Sequence, residues 1–88
     1  MARLAKLVAR AGNNPQDVRF SDLLAVVEAF GFVPIQQRGG SHRRYVHPVV
    51  EEYLSLQPDP NGKAKPYQVK QVFGKIDRHG LHLEDDEP

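Results

Sequence analysis

The stretch FVPIQQRGGSHRRYVHP, residues 32–48, decides the fold, because the apolar pattern changes here from helical spacing to the alternation of a strand. It predicts two strands, over 32–38 and 41–47, joined by a tight turn at Gly39 and Gly40. The chain therefore contains at least one β-hairpin near its centre.

The prolines and the following segment set the extent of the sheet. Pro34 has no amide to donate to a neighbouring strand, so the first strand is expected at a sheet edge. Pro48 ends the second strand, and residues 51–57 alternate again, with Leu54 and Leu56 on one face. These segments predict a sheet of three antiparallel strands.

Three other segments show helical spacing. The last helix is expected to begin at Pro66, which suits a first helical position, and to end at Gly80. A helix before the sheet is expected to begin at Ser21, whose hydroxyl can cap the first turn, and to end at Gly31. The opening helix is expected to stop at Gly12. The apolar stripes are Leu4, Leu7, Val8 and Ala11; Leu23, Leu24, Val26, Val27 and Phe30; and Val69, Val72, Phe73 and Ile76.

Length and composition exclude several classes of protein. Eighty-eight residues are enough for one small domain. The absence of cysteine excludes disulfides, thiolate metal sites and cysteine nucleophiles, and fits a reducing cytosol. No apolar stretch is long enough to cross a bilayer, and no glycine-rich nucleotide motif occurs. We expect a cytoplasmic protein without a cofactor.

Charge is distributed unevenly along the chain. The net charge is +1, but residues 1–83 carry twelve Lys and Arg against seven Asp and Glu, and residues 84–87 are all acidic. A basic surface of this kind attracts polyphosphates such as RNA. We interpret the acidic tail as a disordered solubilising end, with competition for the basic face as the alternative.

The orientation of the second strand decides what His42 can do. Alternation places His42, Arg44 and Val46 on one face, and Arg43, Tyr45 and His47 on the other. We place Tyr45 against the helices because it is the largest apolar group, with Val46 as the competing choice. His42 then faces solvent after a glycine turn, open to a bulky ligand. An exposed histidine without a function is the alternative.

The segment GSHRRYVHP, with FSDLLAVVEAFGF before it and AKPYQVKQVFGKIDRHGL after it, resembles the HicA toxins of bacterial type II toxin–antitoxin systems. The resemblance covers residues 20–81. It implies an α+β fold of the double-stranded-RNA-binding type, with helices on one face of a three-stranded antiparallel sheet. Residues 1–19 would add an N-terminal helix and residues 82–88 an acidic tail to this single domain.

The resemblance also implies an activity and a partner. HicA toxins are ribonucleases that cleave mRNA without a metal, and a HicB antitoxin covers their active site. The histidine after Gly-Ser is the catalytic residue in the family, and that position here is His42. A HicB-like antitoxin and an mRNA substrate are therefore the expected partners, with a hetero-oligomer as one form of the toxin–antitoxin pair.

The residue types suit this chemistry. Cleavage of RNA without a metal needs a base for the ribose 2′-hydroxyl, cations around the phosphorus, and an acid for the departing oxygen. Histidine, with an ordinary pKa of about 6.5, suits either proton transfer. The residues expected to contact RNA are Arg38, Gly40, Ser41, Arg43, Arg44, Lys63, Lys65 and Lys70.

The second proton-transfer group is open among Tyr45, His47 and Lys65, with His47 favoured as a structural residue at the strand end. A metal site is not expected, although His79 and His82 lie three apart. Two other functions stay open. One is a non-catalytic RNA-binding module, and the other is a degenerate toxin that serves only to bind an antitoxin.

Overall fold

The computed structural model describes residues 2–35 and 42–83 of the chain, with side chains from Ala5 onward. These residues form three helices and one three-stranded antiparallel sheet. The elements are α1 (Ala2–Asn13), α2 (Phe20–Ala29), β1 (Val33–Pro34), β2 (Arg43–Val46), β3 (Tyr53–Leu56) and α3 (Pro66–His79). The predicted α+β class, with its extra N-terminal helix, is confirmed.

Three of the predicted helix ends are confirmed. α3 begins at Pro66, and Gly80 follows it with a φ of 60°. Gly31 follows α2 with a φ of 100°. Both glycines adopt the positive φ that other residues reach only with strain, which is why each helix stops there. α1 runs one residue past Gly12, to Asn13.

The predicted start of α2 is wrong by one residue. The helix begins at Phe20, and Arg19 stands at the N-cap without a side-chain hydrogen bond, so Ser21 lies inside the first turn. A distant segment fixes this start. Arg19 forms a β-bridge with Lys63, and the Phe20 amide donates to the carbonyl of Gly62 at 3.2 Å.

The sheet has the order β1-β2-β3, so Pro34 lies on an edge strand as predicted. Val33 pairs with Val46, and Val46 pairs with Tyr53, which makes one row across all three strands. Among the described residues, Phe32, Ile35, His42 and His47 lie outside the strands to which they were predicted to belong, although the Ile35 amide still donates to the Arg44 carbonyl at 2.8 Å. Residues 36–41 lie outside the described residues.

A turn joins β2 to β3 and takes up two residues that were predicted to belong to the third strand. The His47 amide donates to the Glu52 carbonyl at 2.9 Å, and the Glu51 amide donates to the His47 carbonyl at 2.8 Å. Glu51 has a φ of 59°, a conformation that favours glycine. Glu51 and Glu52 therefore complete the turn before β3 begins.

The core lies between the helices and one face of the sheet. Its buried residues are Ala11, Val18, Leu23, Val26, Val27, Phe30, Phe32, Tyr45, Leu54, Leu56, Ala64, Val69, Val72 and Ile76. Tyr45 is 4% exposed, so its predicted inward orientation is confirmed. Burial of a side chain such as Leu23 or Leu56 stabilises the fold by roughly 1.5–3 kcal/mol. Ala11 of α1 belongs to this core, so the N-terminal extension packs with the rest of the chain.

In the described part of the chain, no helix combines the length and the apolar character that a bilayer span requires.

Candidate functional site

His42 lies directly before β2 and is exposed. Because Tyr45 faces the core, alternation places His42 on the opposite, open face of the sheet together with Arg44. Within residues 2–35 and 42–83, the His42 imidazole has no hydrogen-bond partner. The predicted exposure of His42 is thus confirmed among the described residues.

Two arginines follow His42 and line a hollow. Arg43 and Arg44 are both exposed and border a space of about 450 Å³ between α2, β1 and β2. Leu24 and Ile35 supply its apolar wall, and Glu28 supplies a carboxylate. The guanidinium groups give this end of the sheet a positive charge that a phosphate diester would complement.

Tyr45 connects the sheet to α2. Its hydroxyl donates to Oε2 of Glu28 at 2.8 Å. Burial, followed by the hydrogen bond and the charge of Glu28, raises the pKa of Tyr45 to about 12. A phenol that holds its proton this firmly and directs it to a carboxylate is poorly placed for proton transfer to a substrate.

His47 is 7% exposed and engaged at both ring nitrogens. Nε2 lies 3.2 Å from the Phe30 carbonyl, while Nδ1 lies 3.2 Å from the Val49 amide and 3.4 Å from the Val50 amide. Backbone amides only donate, so Nδ1 accepts, and Nε2 carries the proton that it donates to Phe30. The ring also packs edge-on against Phe32, with centroids 5.2 Å apart. Through these contacts His47 connects the end of α2 to the β2–β3 turn, which is a structural role.

The first turn of α3 lies at the same end of strands β2 and β3 as His42. Arg43 pairs with Leu56, so the chain after β3 leaves the sheet at the end where His42 lies. The Gln57 amide then donates to Oε1 of Gln68 at 3.1 Å, which fastens the first turn of α3 there.

The predicted lysines lie around this first turn. Lys65 is the N-cap residue of α3 and is half-buried. Lys70 lies on an exposed position of the helix. Lys63 is less free, because its Nζ lies 3.4 Å from a carboxylate oxygen of Asp17. Both groups of that ion pair are more than half exposed, so the pairing is weak.

A comparison with known protein families shows which family the chain belongs to. The model of a family described as the HicA toxin of bacterial toxin–antitoxin matches residues 20–81, which contain every strand as well as α2 and α3. The chain belongs to the HicA toxin family. Members are generally mRNA interferases, and membership implies a cognate antitoxin. No curated protein and no solved structure matches the chain significantly.

Arg38, Gly40 and Ser41 of this HicA protein lie outside the described residues, as do residues 84–88 of the predicted acidic tail. The described residues of the predicted site are His42, Arg43, Arg44, Lys63, Lys65 and Lys70.

A second polar cluster, formed by Glu52, Lys75 and His79, has a structural role in this HicA protein. Glu52 accepts from Lys75 Nζ at 2.7 Å and from His79 Nε2 at 2.9 Å. These hydrogen bonds, that of Lys75 above all, lower the pKa of Glu52 to about 2. His79 thus binds a carboxylate, and among the described residues no group of three His, Cys, Asp or Glu side chains could hold a metal.

Sequence reasoning missed Gln68 and Glu52. Gln68 is 6% exposed although it is polar, and it occupies a helix position that the apolar stripe does not mark. The charges of Glu52, Lys75 and His79 are visible in the sequence, but only the tertiary fold brings the turn and the helix together.

Proposed function

We propose that this HicA toxin is a metal-independent endoribonuclease that cleaves mRNA, with His42 as its acid–base residue, and that a HicB-like antitoxin neutralises it. The observation that carries the proposal is the position of His42. It is exposed on the open sheet face and directly precedes two exposed arginines.

The other histidines support this choice. His47 is buried and its ring is hydrogen-bonded to the backbone, whereas the His79 ring is hydrogen-bonded to Glu52. His82 is exposed, but it lies beyond the residues that match the family. Of the described histidines inside the matched residues, His42 is the one that is exposed and whose ring has no hydrogen-bond partner among the described residues.

The proposed reaction follows from the chemistry of RNA. His42 takes the proton of a ribose 2′-hydroxyl, and the 2′-oxygen attacks the adjacent phosphorus. The bond from phosphorus to the 5′-oxygen breaks, and that oxygen leaves with a proton, which gives a 2′,3′-cyclic phosphate and a 5′-hydroxyl. Arg43 and Arg44 would stabilise the extra negative charge on the phosphate oxygens as the bond forms.

The departing oxygen needs a proton donor, and three residues were candidates. Tyr45 directs its proton to Glu28, and His47 holds its own against Phe30. Lys65 has no side-chain partner in the described chain and lies at the α3 end of the site. We propose Lys65 for this step, because an ammonium group can donate a proton and also balance the phosphate charge.

An antitoxin site is supported by the apolar row on the open face. Val33 is 44% exposed and Tyr53 is 63% exposed, with Val46 between them. Exposed apolar rows of this kind favour binding of a protein partner. A HicB-like antitoxin seated here would extend over Arg44 and His42 and so keep RNA away.

The cleavage assay uses purified protein, EDTA and an RNA oligonucleotide. We expect the RNA to be cleaved to a product that ends in a 2′,3′-cyclic phosphate. An oligonucleotide of the same sequence with 2′-deoxyribose throughout should not be cleaved. His42→Ala should lower the rate roughly a hundred- to ten-thousandfold. His82→Ala is the matched control and should cleave as the wild type does. Equal cleavage by His42→Ala, or cleavage that requires a divalent ion, would contradict the proposal.

A further inference from the structure

Tyr67 has a large aromatic side chain that is exposed, and packing in the core does not explain its presence there. It is the second residue of α3 and is 61% exposed. The buried face of that helix consists of Gln68, Val69, Val72 and Ile76. The Tyr67 ring therefore contributes little to the core, and its role must be sought at the surface.

A buried amide holds the ring in place. Gln68 is 6% exposed, and its Oε1 accepts from the Gln57 amide at 3.1 Å. The other end of the same amide, Nε2, donates to the Tyr67 hydroxyl at 3.4 Å. Because the hydroxyl accepts this longer bond, its own proton stays available to a ligand. The ring is thus held against the first turn of α3 at little further cost in conformational entropy.

This first turn lies at the end of the sheet that carries His42. Arg43 pairs with Leu56, and the residues just beyond that pair are His42 on one strand and Gln57 on the other. Gln57 is in turn bound to Gln68, the neighbour of Tyr67. A continuous set of backbone and side-chain contacts therefore connects the strand end of His42 to the tyrosine.

The surroundings of Tyr67 favour an anion. Lys65 and Lys70 lie before and after it on exposed or half-exposed positions. In the described chain the Tyr67 amide donates to no residue, at the positive end of a helix. In the loop before α3, the carboxylate of Asp59 accepts from the amides of Asn61 and Lys63 at 2.8 and 2.9 Å.

We infer that Tyr67 forms a base-stacking subsite for single-stranded RNA at the end of the sheet where His42 lies. The inference rests on the proposed ribonuclease function and deepens it. An exposed aromatic ring next to cations binds unpaired bases by stacking, and such a ring is accessible only to nucleotides that are not in a duplex. The Tyr67 amide and Lys70 contact the adjoining phosphate.

The test measures binding without cleavage. In the His42→Ala background, the affinity for a fluorescein-labelled single-stranded RNA is followed by anisotropy. Tyr67→Ala should weaken binding between about 5-fold and 150-fold, the range for loss of one stacked base. Tyr67→Phe keeps the ring but loses the hydrogen bond from Gln68, so its affinity should lie between those of the parent and of Tyr67→Ala. The matched control is Tyr53→Ala, since Tyr53 is 63% exposed but lies at the opposite end of β3.

The outcomes separate this inference from the proposed function. Equal affinity of Tyr67→Ala and its parent, with unchanged thermal unfolding, would overturn the subsite, as would an equal loss in Tyr53→Ala. A parent that binds no single-stranded RNA would overturn both the subsite and the nuclease. Loss of binding in Tyr67→Ala, in a protein whose cleavage does not depend on His42, would support the subsite and refute the chemistry assigned to that histidine.

Discussion

Replacement of His47 by alanine should destabilise the protein strongly although it leaves the proposed chemistry untouched. The imidazole binds the Phe30 carbonyl and the amides of Val49 and Val50, and it packs against Phe32. A buried acceptor left without its donor costs about 1–3 kcal/mol. The lost ring contacts and the weaker amide bonds add to this, and we expect about 2–4 kcal/mol in total.

Such a loss is a large part of the stability of a small domain, which is about 5–15 kcal/mol. The midpoint of thermal unfolding should therefore fall by at least about 8 °C. The measurement is urea unfolding followed by circular dichroism, in a His42→Ala parent so that a toxic protein can be produced. His47→Phe keeps a ring beside Phe32 and removes the hydrogen bonds, so its cost should lie below that of His47→Ala.

The control is His82→Ala in the same parent, because His82 is exposed and should change the free energy of unfolding by no more than about 0.5 kcal/mol. The structural reasoning for His47 is refuted if His47→Ala costs as little as His82→Ala. A cost near zero for His47→Phe would show that packing, and not hydrogen bonding, holds the ring.

Three further predictions concern stability. As the pH falls from 4.5 to about 2, the folded protein should lose stability as Glu52 takes up a proton, because the pKa of Glu52 is lowered in the folded state. The loss is complete below the folded pKa. Glu52→Gln should remove this part of the acid unfolding profile. Glu51→Gly should raise the free energy of unfolding by up to about 1 kcal/mol, because Glu51 has a φ of 59°, and a decrease in urea unfolding would argue against strain at this residue. Leu56→Ala should cost about 2–5 kcal/mol, since the side chain is fully buried, whereas the exposed Ser55→Ala on the same strand should cost less than about 0.5 kcal/mol.

Local signals in the sequence predicted the fold where the structure depends on local physics. Pro66 and Gly80 bound α3 as expected, because one lacks an amide that a first turn does not need and the other reaches a positive φ. The inward orientation of Tyr45 followed from alternation and size. The start of α2 could not be predicted in this way, since it depends on the bridge between Arg19 and Lys63.

In the candidate site, too, some features can be predicted from the sequence and others depend on tertiary contacts. Exposure of His42 on the open face follows from strand alternation, which the sequence carries. The contacts that join Gln57, Gln68 and Tyr67 depend on how the loop after β3 packs against α3. No periodicity marks a polar side chain that becomes buried in this way, so the subsite emerges only from the fold.

The central claim is that His42 makes this HicA protein toxic by cleaving RNA. The most direct measurement is bacterial growth after induction of the wild-type chain, His42→Ala or His82→Ala, with protein levels checked in each culture. The account predicts arrest by the wild type and by His82→Ala, and normal growth with His42→Ala. If the wild type and His42→Ala arrest growth equally, or if both are harmless at equal levels, the claim is contradicted.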